Sequence, residues 1–220
     1  MKNDANGNRR AWWCTIAAVL LLSGPAFAVS ASALDRELTP DASIPIPPLR
    51  VDATGALQIA ASPTSSVHDF DFLVGDWTLS NRKLKSRLTH STEWIAFESR
   101  VEMHQILGGV GNIDKYTDSA SGQPYEGVAL RLFDTKTKLW RIYWADSNSG
   151  ALDPPVVGSF ESGIGHFFAR DTYKGQSIIV VFRWDARNPR RPIWSQAFST
   201  DDGKTWEWNS INVSERSPVR

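Results

Sequence analysis

Ionisable side chains stand at every second position of one segment, a spacing that places them on one face of a β-strand. Glu98, Arg100, Glu102 and His104 alternate with mainly apolar residues over positions 94–107. On a face turned inward, Glu98 and Arg100 would form a buried pair, and Glu102 with His104 would form an acid/base couple. On a face turned outward, the row is a strip of solvated charges. We treat His104 and Glu102 as catalytic candidates and Glu98 and Arg100 as ligand-binding candidates.

A third catalytic candidate is Asp146, which ends an alternating segment. A carboxylate at the rim of a sheet can orient or deprotonate a ligand, and it can equally accept backbone hydrogen bonds in a turn. Large rings and amides at later positions add ligand-binding candidates. They are Tyr143, Trp144, Trp184, Gln196 and Asn209. The rings either fill the protein interior themselves or line a ligand cavity, and the sequence is consistent with both.

The sequence lacks the patterns of common metal and nucleophile sites. It has no His-x-x-x-His pair, no paired cysteine and no Gly-x-Ser-x-Gly motif. We therefore expect no metal and no cofactor. The formal net charge is +0, which argues against nucleic acid as a partner. The expected partner is a small-molecule ligand, and the oligomeric state is left open.

The elements that must position these residues have the two-residue period of β-strands. All but two of the ten tryptophans lie in this alternating part of the chain. Short connections rich in Gly, Asp and Asn separate the segments and predict tight turns. The predicted strands cover residues 77–87, 94–107, 111–117, 125–134, 139–146, 156–161, 166–172, 177–184, 193–199 and 205–213.

About ten strands joined by short turns predict an all-β, antiparallel up-and-down barrel, because closure removes exposed sheet edges. A two-sheet sandwich is the alternative. Phe70, Leu73 and Trp77 stand at helical spacing and predict a short helical turn before the first strand. Residues 199–206 match the pattern Ser-x-Asp-x-Gly-x-Thr-Trp. One copy predicts a hairpin turn rather than a propeller, whose blades would repeat it.

The barrel begins with the sequence Asp71-Phe72-Leu73-Val74-Gly75-Asp76-Trp77. This opening resembles the entry of uncharacterised bacterial lipocalin-like domains of the calycin type, with nitrobindin as a more distant relative. Residues 131–134, 140–146 and 196–199 are also similar to that group. The resemblance covers residues 68–216 and implies the barrel fold; it implies no particular chemistry.

Nitrobindins bind haem through a histidine on a late strand, and this chain departs from that pattern. It has no histidine after His166. Haem would need His104, His166 or Tyr143 as a replacement ligand. We therefore do not expect haem to be bound.

The N-terminal residues resemble a secretory address. Arg9 and Arg10 precede a short apolar run over residues 11–22, and Ala26-Phe27-Ala28 supplies a small-x-small cleavage site. We interpret residues 1–28 as a signal peptide, so that cleavage leaves no stable membrane anchor and the protein is periplasmic or secreted. Residues 29–66 are rich in Pro, Ala and Ser and are interpreted as a linker or loosely held arm. Residues 67–216 form the barrel domain.

Three functional hypotheses follow. The leading one is an exported barrel that holds a small, partly apolar or aromatic ligand in its lumen. The alternative is a cofactor-free acid/base enzyme, a lyase, isomerase or hydrolase, that uses the same lumen as its active site. A third, a structural or adhesive envelope protein, depends only on the Pro-rich arm. The sequence leaves open whether any reaction is catalysed.

Overall fold

The protein is an all-β structure, seen here in a computed structural model that describes residues 38–217. Its strands are β1 Arg50–Val51, β2 Leu57–Gln58, β3 Gly75–Leu84, β4 Trp94–Ile106, β5 Gly111–Asp118, β6 Tyr125–Asp134, β7 Leu139–Asp146, β8 Val156–Glu161, β9 Ile164–Tyr173, β10 Gln176–Asp185, β11 Ile193–Ser199 and β12 Glu207–Arg216. Within the described residues, no helix is long and apolar enough to cross a membrane.

Over residues 75–216, ten of these strands form one closed antiparallel barrel. Each strand pairs with its neighbours in the sequence, and β12 closes the barrel by pairing with β3. The predicted ten-stranded up-and-down barrel is therefore confirmed. The alternative of a two-sheet sandwich is wrong, because the hydrogen-bond ladder runs continuously around the barrel and the ten strands have no free edge.

Side chains alternate between the lumen and the outer face of each strand. On β6, Ala129, Arg131 and Phe133 are buried toward the inside, whereas Val128 and Leu130 face outward and are half-buried. The same alternation on the other strands brings one residue in two to the lumen. The barrel interior is thus built from half of each strand.

One end of the barrel is closed by residues 70–73, which we call the plug. A turn of 3-10 helix, Asp71–Leu73, precedes β3 and carries Phe70 and Leu73 inward, where they are 1% and 3% exposed. The ring of Phe70 meets those of Trp140 and Phe160 edge to face, with centroids 5.0 Å apart in both pairs. Trp77 Nε1 donates to the Leu73 carbonyl at 2.7 Å and ties the plug to the first barrel strand.

The N-terminal arm lies against the outside of the barrel over residues 38–66. Ile46 and Leu49 pack on an apolar patch of the outer face formed by Phe168, Val181 and Ala197. Arg183, on the same face, donates two hydrogen bonds of 3.0 Å to arm carbonyl groups. This part of the arm is held by many contacts instead of hanging loosely. The predicted signal peptide, residues 1–28, and residues 29–37 of the arm lie outside the described residues.

The motif over residues 199–206 forms the predicted hairpin turn between β11 and β12. The Asp201 carboxylate accepts hydrogen bonds from the Ser199 hydroxyl at 2.8 Å and the Thr205 backbone N–H at 2.9 Å. Gly203 has a φ of +85°, a conformation that other residues rarely adopt. The motif is structural, and Trp206 packs half-buried beside the arm.

Replacing Phe70 by alanine should destabilise the barrel by roughly 3–5 kcal/mol, because it empties a site enclosed by several aromatic rings. Phe72→Ala is the matched control, since Phe72 lies in the same turn but is only partly buried. Urea unfolding followed by tryptophan fluorescence measures both free energies of unfolding. An equal loss of unfolding free energy in the two variants would show that the packing of the plug is not centred on Phe70.

Candidate functional site

The barrel is hollow above the plug. A cavity of about 170 Å³ lies in the lumen and opens toward the end of the barrel opposite the plug. Much of its wall is apolar, with contributions from Leu79, Val101, Ile142, Phe182 and Trp184. The sequence left open whether the aromatic side chains fill the lumen. In the structure they do not, because this cavity remains between them.

Pairs of aromatic rings form part of the cavity wall. Phe182 and Trp194 meet edge to face with centroids 5.1 Å apart, and Tyr116 meets Trp144 in the same way at 5.7 Å. The Trp144 ring lies directly over Gly127 on the neighbouring strand, in the space that a Cβ atom there would occupy. Glycine at 127 is therefore required for this ring to reach the lumen.

One side of the wall, formed by β3, β11 and β12, is polar. Gln196 is 1% exposed, and its Nε2 donates to Asn209 Oδ1 at 2.7 Å. Asn212 and Asn81 stand directly opposite each other on β12 and β3, 9% and 6% exposed. Because buried amides are costly without hydrogen-bond partners, this strip is the part of the lumen where recognition of polar groups is expected.

A buried ion pair lies across the lumen, on β5 and β6. Arg131 Nη1 is 2.6 Å from Asp114 Oδ2 and 3.1 Å from Asn112 Oδ1, and the two charged side chains are 6% and 5% exposed. The guanidinium also lies 5.2 Å from the centre of the Phe70 ring in the plug. Removing either charge would leave the other uncompensated in a low-dielectric environment, so the pair fixes the floor of the cavity.

The open end carries basic side chains. Lys83 and Arg87 border the cavity there, with Lys83 Nζ 5.2 Å from the centre of the Phe97 ring and Arg87 Cζ 5.6 Å from that of Phe198. The Leu88 N–H donates to Glu207 Oε1 at 2.7 Å, which holds the loop after β3 against β12. The entrance is therefore polar.

Three carboxylates lie close together beside this end, in the β7–β8 loop and on β7 and β9. Burial, together with the charges of Asp171 and Asp146, raises the pKa of Asp153 to about 6. Burial also raises the pKa of Asp171. Asp146 has structural partners: it accepts hydrogen bonds from the Tyr125 hydroxyl at 3.0 Å and from the N–H groups of Asn148 and Ser149 at 2.9 Å. Asp146 therefore caps the turn that follows β7.

The row of charged residues on β4 lies outside the barrel. The four side chains, Glu98, Arg100, Glu102 and His104, are all exposed. Within residues 38–217, the only ion pair that any of them forms joins His104 Nε2 to Glu102 Oε1, at 3.0 Å. Of the two alternatives, the outward-facing row is the one observed, and the inward-facing one, with the catalytic and ligand-binding roles it gave these four residues, is wrong. The physical reason is that charged groups keep their hydration on the outer face while Val101 and Met103 occupy the inner one. The acid/base couple is therefore formed in solvent, away from the cavity.

The later candidates lie at the cavity or behind it. Trp144, Trp184, Gln196 and Tyr143 border the cavity. Asn209 is fully buried behind this wall and positions Gln196. Five further residues line the lumen that were not predicted from the sequence: Asn81, Asp114, Ala129, Arg131 and Asn212. For Asn81, Asp114, Ala129 and Arg131 the signal was the strand phase, since each stands an even number of positions from an inward-facing apolar residue such as Leu79, Tyr116 or Phe133.

The lumen does not fit histidine-ligated haem. All four histidines lie within residues 38–217, and none of them borders the cavity. His166 is on the outer face of β9, where burial and nearby Arg183 lower its pKa to about 4. In the described part of the chain, no group of three or more His, Cys, Asp or Glu side chains is placed to hold a metal ion.

No protein-family model matches the sequence, and no curated protein matches it. Among solved structures, the S-type phycobiliprotein lyase CPES from Guillardia theta is similar, with a TM-score of 0.49 and 10% identity over 72% of this chain and 96% of that one. Rv2717c from M. tuberculosis is similar with a TM-score of 0.46 and 11% identity, over 72% of this chain and 99% of that one.

Asp153→Asn should stabilise the protein increasingly as the pH rises from about 4 to 7. The folded-state pKa, about 6, lies above the ordinary value of 3.8, so folding favours the protonated carboxyl and stability is lost as the pH rises through that window. Melting temperatures of wild type and variant should coincide near pH 4 and diverge by pH 7. Asp76→Asn, at an exposed carboxylate, is the control. A constant difference across this range would contradict the assignment.

Proposed function

We propose that this protein is an exported barrel that binds a small, partly aromatic molecule in its lumen. The observation that carries the proposal is the cavity of about 170 Å³ enclosed by aromatic and aliphatic side chains with a few buried polar groups. Export rests on the signal-peptide pattern of residues 1–28. The finer relationship, to bacterial lipocalin-like domains and more distantly to nitrobindin, rests on the motif at residues 71–77.

The size of the cavity sets the size of the molecule. An engineered apolar cavity of about 150 Å³ holds benzene, so the enclosed part of this lumen suits one or two fused rings. A longer substituent would extend through the open end, past Lys83 and Arg87. Burial of apolar surface against rings such as Trp184 and Phe182 supplies the main driving force for binding.

The distribution of polar groups supports binding of an oriented molecule. Ligand sites are typically apolar with a small number of convergent polar groups that fix the orientation of the ligand. Here Gln196 and Asn212 lie on one wall and the Asp114–Arg131 pair on another. A barrel that needed its interior only for stability would gain more from apolar residues at these positions.

The alternative of an acid/base enzyme remains a second candidate because of Asp153 and Asp171. Both carboxyl groups have a raised pKa, and both lie beside Trp144 and Phe182, which border the lumen. A carboxyl that titrates near neutral pH is suited to proton transfer. This version replaces His104 and Glu102, which lie outside the barrel. The enzyme alternative predicts that the protein turns over a substrate and that its pH–rate profile has an apparent pKa near 6. It also predicts that Asp153→Asn alters this profile.

Filling the lumen should abolish ligand uptake. Ala129→Phe places a ring in the cavity, since the Ala129 side chain faces inward on β6. Val128→Phe is the matched control on the outer face of the same strand. Calorimetric titration with indole and with naphthalene should show saturable binding to wild type and to Val128→Phe, and at least about tenfold weaker binding to Ala129→Phe.

Two results would contradict this proposal. One is the absence of saturable binding of either probe to the wild-type protein. The other is equal affinity of Ala129→Phe and wild type, which would place the bound probe on the outer surface. Circular dichroism of both variants checks that the barrel is intact.

A further inference from the structure

We propose that the lumen selects flat aromatic molecules that carry two hydrogen-bond donors on one edge, and that Gln196 Oε1 and Asn212 Oδ1 accept those donors. The inference rests on the proposed function and names the class of ligand. It starts from two buried carbonyl oxygens on the cavity wall that have no hydrogen-bond partner within residues 38–217.

The orientation of the Gln196 amide is fixed by its neighbours. Asn209 Nδ2 donates to the Glu207 carbonyl at 3.4 Å, so Asn209 turns its Oδ1 toward Gln196. That oxygen accepts from Gln196 Nε2 at 2.7 Å. The remaining polar atom of Gln196 must then be its carbonyl oxygen, which is buried and without a protein partner among the described residues. Asn209 therefore acts as a positioning residue that presents an acceptor to the lumen.

Asn212 supplies the second acceptor from the next strand. In the antiparallel register, Gln196 pairs with Ser210 and Trp194 pairs with Asn212. Gln196 and Asn212 are thus diagonal neighbours on one face, at a separation of about 7–8 Å between Cα atoms, which long side chains can span. Gln196 is 1% exposed and Asn212 is 9% exposed, so bulk water reaches neither amide freely.

The neighbouring amide does not share this role. Asn81 stands opposite Asn212, but its Nδ2 donates to the Leu79 carbonyl, the Phe97 carbonyl and the Ser99 hydroxyl at 3.0, 3.3 and 2.9 Å. The bonds to Phe97 and Ser99 join β3 to β4, and no atom of Asn81 is among the buried polar atoms that lack a partner in the described residues. The recognition element is therefore the acceptor pair on β11 and β12.

The requirement for a flat ligand comes from the rings around the pair. Trp194 is adjacent to Asn212 in the ladder, and Phe182 packs edge to face against Trp194. Trp184 and Trp144 line the same cavity. A planar ring fits between such faces, and its edge can reach the amides. A buried acceptor that meets an apolar ligand edge stays unpaired, so the site should reject analogues that lack donors.

The test compares two ligands that share one bicyclic frame and differ in whether two positions carry N–H donors or CH2 groups. Benzimidazol-2-one has two N–H donors on one edge, one on each side of its carbonyl group, and indan-2-one has the same frame and carbonyl group with CH2 in place of each N–H. Calorimetric titration of the wild-type protein should give at least about tenfold tighter binding of the first. Indole is titrated in parallel to report whether the lumen binds aromatic molecules at all.

Variants assign the preference to the two amides. Gln196→Leu and Asn212→Leu replace each acceptor by an apolar group, and each should reduce the preference for the N–H ligand by about threefold or more. Gln176→Leu, at an exposed position on β10, is the matched control and should keep it. If a lumen variant fails to fold, the comparison of the two ligands on the wild-type protein still tests the inference.

The outcomes separate the inference from the proposed function. Equal affinity for benzimidazol-2-one and indan-2-one, with indole binding intact, overturns the inference and leaves the lumen as a ligand site whose amides are satisfied by water. A preference that survives both leucine substitutions also overturns it. Failure of all three probes to bind overturns the inference and the proposed function together.

Discussion

The packing of Phe70 in the plug is the interaction on which the rest of the structure depends. Ten strands can close into a ring with a filled or a hollow interior, and Phe70 fills one end by contact with Trp140, Phe160 and Phe167. With that end sealed, the inward residues farther along the strands need not meet in the centre. The cavity lies beyond this end, where the inward side chains leave space that they do not fill.

The sealed end also determines where polar groups can lie. Arg131 rests over the Phe70 ring and is neutralised by Asp114 at 2.6 Å, so its charge is compensated within the floor of the cavity. The amides of Gln196 and Asn212 lie on the wall instead, where the space beside them is open. The apolar plug, the ion pair and the amide wall together give the lumen a defined polarity from floor to entrance. Polar groups at fixed positions orient a bound ligand.

The sequence predicted the strands well, because alternation and turn residues are local signals. The last strand begins at Glu207 rather than at 205, since Thr205 belongs to the Asp201 turn. The choice of inward face was harder. On β6 the apolar series with Val128 faces out and the series with Arg131 faces in, because only closure and register decide the phase. For the same reason the sequence could not show that Asn212 adjoins the site.

The central claim, that the lumen is an open apolar cavity accessible to small molecules, is tested most directly by a crystal structure determined under xenon pressure. Xenon enters dry apolar cavities and reports them without any chemistry of its own. We predict a xenon peak inside the barrel, between Ala129, Leu79 and Trp184. A lumen with no xenon peak, in which Trp144 and Trp194 have moved together to fill the space, would contradict the claim.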